Sequence, residues 1–277
     1  MNKGGGTRVK KVLYDWCTEN NVTSSLFAST SWLKGSEYSI ELSDSNVPLI
    51  FGGYVEGLRA FGRLGDKCQW FTMFRNPVLR LVSAYFFCRN TWDQLCGKHA
   101  ADVNNMDLVS FAEHWGNYGL RQFALSSITW DEVHTSRAAA ECIKCAPWYK
   151  LKLYLIEGQS NQANEDTNGS DEGLERLVQP ALDLIESGYA AVGILEDFDL
   201  SLELFTRALR LPGLDWVSRY YSVNLRKAHS ETQERKDALR LAWTDPSIFE
   251  SIKLDILLYQ HAVGVHDRQL HKYNVVP

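Results

Sequence analysis

Residues 70–89, WFTMFRNPVLRLVSAYFFCR, constrain the fold more than any other stretch of the chain. An apolar run, Trp70 to Phe74, stops at Arg75. Pro77 stands where a helix would begin: its fixed φ suits the first helical position, where the missing N–H has no partner to lose. Val78, Leu81, Val82 and Tyr85 then recur at helical spacing. The pattern predicts a buried strand that delivers an arginine to the mouth of a helix. Ser83 falls two turns into that helix. A fixed cation and a hydroxyl near a strand end can together hold a phosphate. An ordinary buried strand–helix corner with a capping arginine has the same outline.

The amino terminus bears on that choice. Residues 2–9 read NKGGGTRV and lead into an amphipathic helix with Val9, Val12, Leu13 and Trp16 on one face. A glycine-rich turn before a helix aims unpaired N–H groups at one point, and the helix dipole favours an anion there. Lys3 adds a positive charge and Thr7 a hydroxyl donor. The Walker pattern differs, since its lysine follows the glycines. A glycine-rich turn alone is also what a flexible terminus looks like.

Taken together, the two segments resemble the donor site of sulfotransferases. Arg75, Pro77, Arg80, Ser83 and Tyr85 match the 3′-phosphate element, Arg-x-Pro followed by Arg-x-x-Ser-x-Tyr. Lys3, Gly5, Gly6 and Thr7 match the 5′-phosphosulfate loop, Lys-x-Gly-Gly-Thr. Residues 191–198, AVGILEDF, resemble a late valine-glycine-leucine-glutamate element of the membrane-bound, Golgi-type carbohydrate sulfotransferases. Asp255, Leu258 and Tyr259 resemble the terminal segment of that family. These later segments read mostly as packing.

The resemblance implies an α/β fold: a P-loop-type parallel sheet flanked by helices, with a helical C-terminal third. It implies one sulfotransferase-like domain over residues 1–277, with 159–173 (QSNQANEDTNGSDEG) a solvated loop. The family carries a strand before its glycine loop, whereas only Met1 and Asn2 precede Lys3. Either the sequence is truncated there or the fold lives without that strand. A missing upstream region could also have carried a membrane anchor. The resemblance places the protein in the Golgi lumen, or in the cytoplasm if Met1 is the true start.

It further implies a donor, 3′-phosphoadenosine-5′-phosphosulfate (PAPS), that leaves as 3′-phosphoadenosine-5′-phosphate (PAP). Lys3 would stabilise the leaving phosphate oxygen, and Gly4, Gly5, Gly6 and Thr7 would hold the 5′-phosphate. Arg75 and Ser83 would hold the 3′-phosphate, with Arg226 or Lys227 closing over it from a basic turn. Such a site calls for no metal, because side chains match the donor's phosphates. The acceptor would be a hydroxyl, first of all on a carbohydrate. Gly53 stands where many relatives carry a histidine base, and Glu56 is the nearest substitute. His99, His114 and His134 are the fallback bases. A solvated surface acid at 56 and an exposed basic turn at 226–227 are the plain alternatives.

Composition narrows the classes. The chain has 277 residues, 45% hydrophobic and 12% aromatic, enough for a substantial core. The net charge of −5 gives no global basic field to recruit nucleic acid. No run approaches the length of a membrane span. Cys142-x-x-Cys145 lacks a second ligand pair at zinc spacing and reads as structural. Cys88 and Cys96 flank a short loop and could form a disulfide in an oxidising lumen. Two sequons begin at Asn21 and Asn168.

The remaining order is coarse. Strands are expected near 37–42, 47–51, 154–157 and 191–195, and helices over 174–187, 232–242 and 247–263. Leu202, Phe205 and Leu209 mark a helix after the last strand. Three functions stay open at this point. They are a carbohydrate sulfotransferase, a sulfotransferase for a small metabolite or protein tyrosine, and a non-catalytic nucleotide- or glycan-binding relative.

Overall fold

The structure is a computed structural model that describes residues 6–21, 24–27, 49–52, 69–90, 103–120, 178–209, 211–222 and 232–275. In chain order its elements are α1 (Gly6–Glu19), β1 (Ser24–Phe27), β2 (Leu49–Gly52), β3 (Phe71–Phe74), α2 (Pro77–Asn90) and α3 (Leu108–Trp115). There follow α4 (Val178–Ser187), β4 (Ala191–Ile194), α5 (Phe198–Ala208), α6 (Trp216–Ser222), α7 (Gln233–Thr244) and α8 (Pro246–Lys272). The fold is α/β: mostly helical, with parallel strand pairs. The strands expected at 37–42 and 154–157 and the loop at 159–173 lie outside the described residues.

The chain forms two compact units. The first comprises Met1–Asn76, Asp183–Ser230 and Tyr259–Pro277. In it β1 runs parallel to β2, with Ser24 opposite Leu49, and β3 parallel to β4, with Phe71 opposite Ala191. The face of α1 read from the sequence is buried: Val9, Val12, Leu13 and Trp16 join Met73, Ala191, Leu202, Phe205 and Leu209 in one core. Phe71, Phe205 and Trp216 meet edge-on at its centre, with ring centroids 5.1–5.8 Å apart. Gly193 lets α5 lie close on β4, since a Cβ there would come 2.7 Å from the Phe205 ring.

One edge of β4 pairs with β3. The other is closed by side chains. Gln269 Oε1 accepts from Val192 N–H at 2.7 Å, and His266 Nδ1 lies 2.7 Å from Val192 O. Ser201 Oγ accepts from Ile194 N–H at 2.8 Å. Backbone groups that another strand would satisfy are thus met by α5 and α8.

The second unit comprises Pro77–Leu182 and Glu231–Leu258. Val78, Leu81, Val82 and Tyr85 of α2 are buried, as their spacing predicts. Tyr85 packs on Phe111 of α3, and Trp115 stacks on Tyr118 at 4.2 Å. Arg80 lies in this core, within cation–π reach of both stacked rings and paired with Asp255 of α8. Asp255 also accepts from Gly119 N–H at 3.0 Å and Leu120 N–H at 2.8 Å. Space here is fully used: a Cβ on Gly119 would come 2.9 Å from Arg80 Nη1, and one on Gly116 would come 2.1 Å from Ser251 O. Asn117, at φ 52°, turns the chain so that its Oδ1 accepts from Leu254 N–H at 3.1 Å.

Helix starts follow local chemistry. Asp107 Oδ1 caps α3 through Ser110 N–H, and Asp245 caps α8 through Ser247 N–H, with Pro246 in the first helical position. The last helix runs nine residues past its expected end at Val263. Gly264 inside it costs about 1 kcal/mol relative to alanine. Burial of Val265, His266 and Leu270 beyond it carries the helix onward.

Removing one partner of a buried ion pair leaves the other charge stranded, at a cost of about 3–5 kcal/mol. Asp255→Ala is therefore expected to lose stability by that amount in denaturant unfolding. A loss under about 1 kcal/mol would show that Arg80 reaches solvent or another acceptor.

Candidate functional site

Ligands of parallel α/β sheets sit at the carboxyl ends of the strands. In the first unit that edge is built from the residues just after β3 and β4. Phe74 stands opposite Ile194, and Leu195 N–H donates to Phe74 O at 2.8 Å. The two following turns, Arg75–Asn76 and Leu195–Glu196, are thereby side by side. Arg75 is half-buried, directly behind the strand.

Glu196 faces this turn. Its carboxylate oxygens lie 3.2 and 3.3 Å from Asn76 N, which donates to them. Tyr259 donates its phenol hydrogen to Glu196 Oε2 at 3.0 Å. Burial pushes the Tyr259 phenol well above the usual tyrosine range, and the negative Glu196 beside it adds to the shift. One carboxylate thus ties the turn carrying Arg75 to the last helix.

Of the residues expected at the donor site, Gly6 and Thr7 form the start of α1. Ser83 lies in the second turn of α2 and is half-buried. Lys3, Gly4, Gly5, Glu56, Arg226 and Lys227 lie outside the described residues, as do His99 and His134. His114 is in the last turn of α3. Cys88 is disulfide-bonded, and Cys17 is buried and takes no part in a disulfide. Among the described residues no group of His, Cys, Asp and Glu could hold a metal ion, and no helix is long and apolar enough to cross a membrane.

No family model, curated protein or solved structure matches the chain.

Two residues first read as packing have polar partners. Glu196 appeared as an acidic turn after a strand and Tyr259 as part of a closing helix, and the structure joins them. Each stands beside an element boundary or a buried helix face, so the available signal was a charged residue two positions after a buried strand. By the register of β3 and β4, Glu196 is level with Asn76, one position beyond Arg75.

The raised phenol makes a pH prediction. The folded protein holds the Tyr259 proton more tightly than the unfolded chain does. This contribution to stability is therefore complete below about pH 10, the ordinary tyrosine value, and is lost as pH rises through the folded-state value. Tyr259→Phe should flatten the alkaline decline of stability in unfolding measured from pH 8 upward. An unchanged slope would show that the phenol is solvated.

Proposed function

We propose that this chain is a sulfotransferase that moves a sulfuryl group from PAPS to a hydroxyl, most directly one on a carbohydrate. The observation that carries the reading is the strand-borne Arg75 followed by Pro77, Arg80, Ser83 and Tyr85, paired with the Lys3–Thr7 loop. Placement of Arg75 behind β3 of a parallel pair supports it, because an anion is met there by a cation on a rigid element. In this reading the sheet is of the P-loop type. A disulfide at Cys88 favours an oxidising lumen such as the Golgi.

The chemistry needs position and charge more than covalent help. The sulfuryl group becomes planar between the incoming hydroxyl and the leaving phosphate oxygen, which lie in line. Lys3 neutralises charge that develops on the leaving oxygen, and the amides of Gly4 to Thr7 hold that phosphate. Arg75 and Ser83 hold the 3′-phosphate, with Arg226 and Lys227 supplying further positive charge. Glu56 takes the proton of the acceptor hydroxyl.

Arg75→Ala should weaken PAP binding by about 1.5–3 kcal/mol in calorimetry, the worth of a hydrogen bond to a charged group. Unchanged affinity would remove Arg75 from the donor site. Failure of the unmutated chain to bind PAP would remove the reading as a whole.

Glu56→Gln keeps the shape of the side chain and removes its basicity. Turnover on an accepted glycan should fall by about 10²–10⁴, with PAP affinity nearly intact. Full turnover would move the base to His99, His114 or His134. PAP binding without turnover on glycans, small phenols or tyrosine peptides would favour a binding protein over an enzyme.

A further inference from the structure

We infer that Glu196 is a positioning residue for the anion site, holding the Arg75–Asn76 turn in its binding geometry although its own charge opposes an anion. The inference rests on the donor-site reading above in naming PAP as the anion. Three contacts support it. The Glu196 carboxylate receives Asn76 N–H on both oxygens, at 3.2 and 3.3 Å. It also receives the Tyr259 hydroxyl at 3.0 Å. The backbone on either side is fixed by the strand ladder, where Leu195 N–H donates to Phe74 O at 2.8 Å.

The turn between β3 and α2 is two residues long, Arg75 and Asn76. Rotation about the Asn76 backbone would swing the Arg75 peptide and with it the guanidinium. A carboxylate on the Asn76 amide restricts that rotation, and the Tyr259 hydrogen bond restricts the carboxylate in turn. A solvated glutamate close to an anion site would only repel the ligand. Positioning and repulsion therefore predict opposite signs for the same substitution.

Glu196→Ala removes both the charge and the acceptor. Pure electrostatics predicts tighter PAP binding. Loss of positioning predicts weaker binding, by roughly three- to tenfold, the size of one ordinary hydrogen bond at an exposed site. Glu196→Gln keeps an acceptor oxygen for Asn76 N–H and removes the charge, so it should bind PAP as well as the unmutated protein or better. Tyr259→Phe frees one side of the carboxylate and should give a loss smaller than that of Glu196→Ala. Thermal unfolding of each variant separates a local effect from a general loss of fold.

The same variants carry a second readout independent of the nucleotide. Amide exchange at Asn76, followed by NMR, should quicken in Glu196→Ala and stay slow in Glu196→Gln. If the unmutated chain binds no PAP, the donor-site reading fails, while quickened exchange at Asn76 still supports the clamp on the turn. Unchanged Asn76 exchange in Glu196→Ala overturns the inference, whatever the nucleotide does. Tighter PAP binding by Glu196→Ala overturns it as well and leaves Glu196 a repelling charge.

Discussion

The parallel pairing of β3 with β4 is the constraint on which the first unit depends. Parallel strands cannot be joined by a tight turn, so the chain must leave the sheet and return before the second strand is laid down. Both strands then release their following residues at the same edge. That is why Arg75 and Asn76 come to lie beside Leu195 and Glu196, although 120 positions separate Asn76 from Glu196. An antiparallel pair would have sent the two turns to opposite ends. The pairing holds because both flanks of β4 are determined. On one side are the ladder bonds to β3, and on the other Gln269, His266 and Ser201 meet the outward backbone groups.

The second unit is organised around a charge instead. Arg80 sits in an apolar helix face where an aliphatic residue would pack without penalty. Its guanidinium is accommodated because Asp255, two backbone amides and a pair of stacked aromatic rings converge on one place. Such an arrangement tolerates little change. Gly116 and Gly119 are fixed by what stands against them, Ser251 O and the ion pair.

Much of the local structure was legible in the sequence, and most of the pairing was not. The Trp70–Asn90 segment encodes its own boundaries through an apolar run, a proline and a helical period, so β3 and α2 follow directly. The buried faces of α1 and α5 follow from the same periodicity. Other elements carry weaker signals. β1 is Ser-Ser-Leu-Phe, with only two residues that favour a strand, and it exists through its register with β2. α6 is short and announced only by Asp215, whose carboxylate accepts from Ser218 N–H at 3.0 Å. The last helix was expected to end at Val263, and burial beyond Gly264 carries it to Lys272 instead. At the site, the position of Arg75 behind a strand was readable because it is local. The bond between Glu196 and Tyr259 was not, because it spans 63 positions and exists only once α8 is packed.

The long reach of the Arg80–Asp255 pair has a consequence for how the protein is made. Its partners are 175 residues apart. At a synthesis rate of about 5–20 residues per second, the arginine helix leaves the ribosome roughly 10–35 s before its counter-charge exists. During that interval burying the α2 face would strand the Arg80 charge, at a cost of about 3–5 kcal/mol. The core of the second unit is therefore completed only when the last helix brings Asp255 to Arg80.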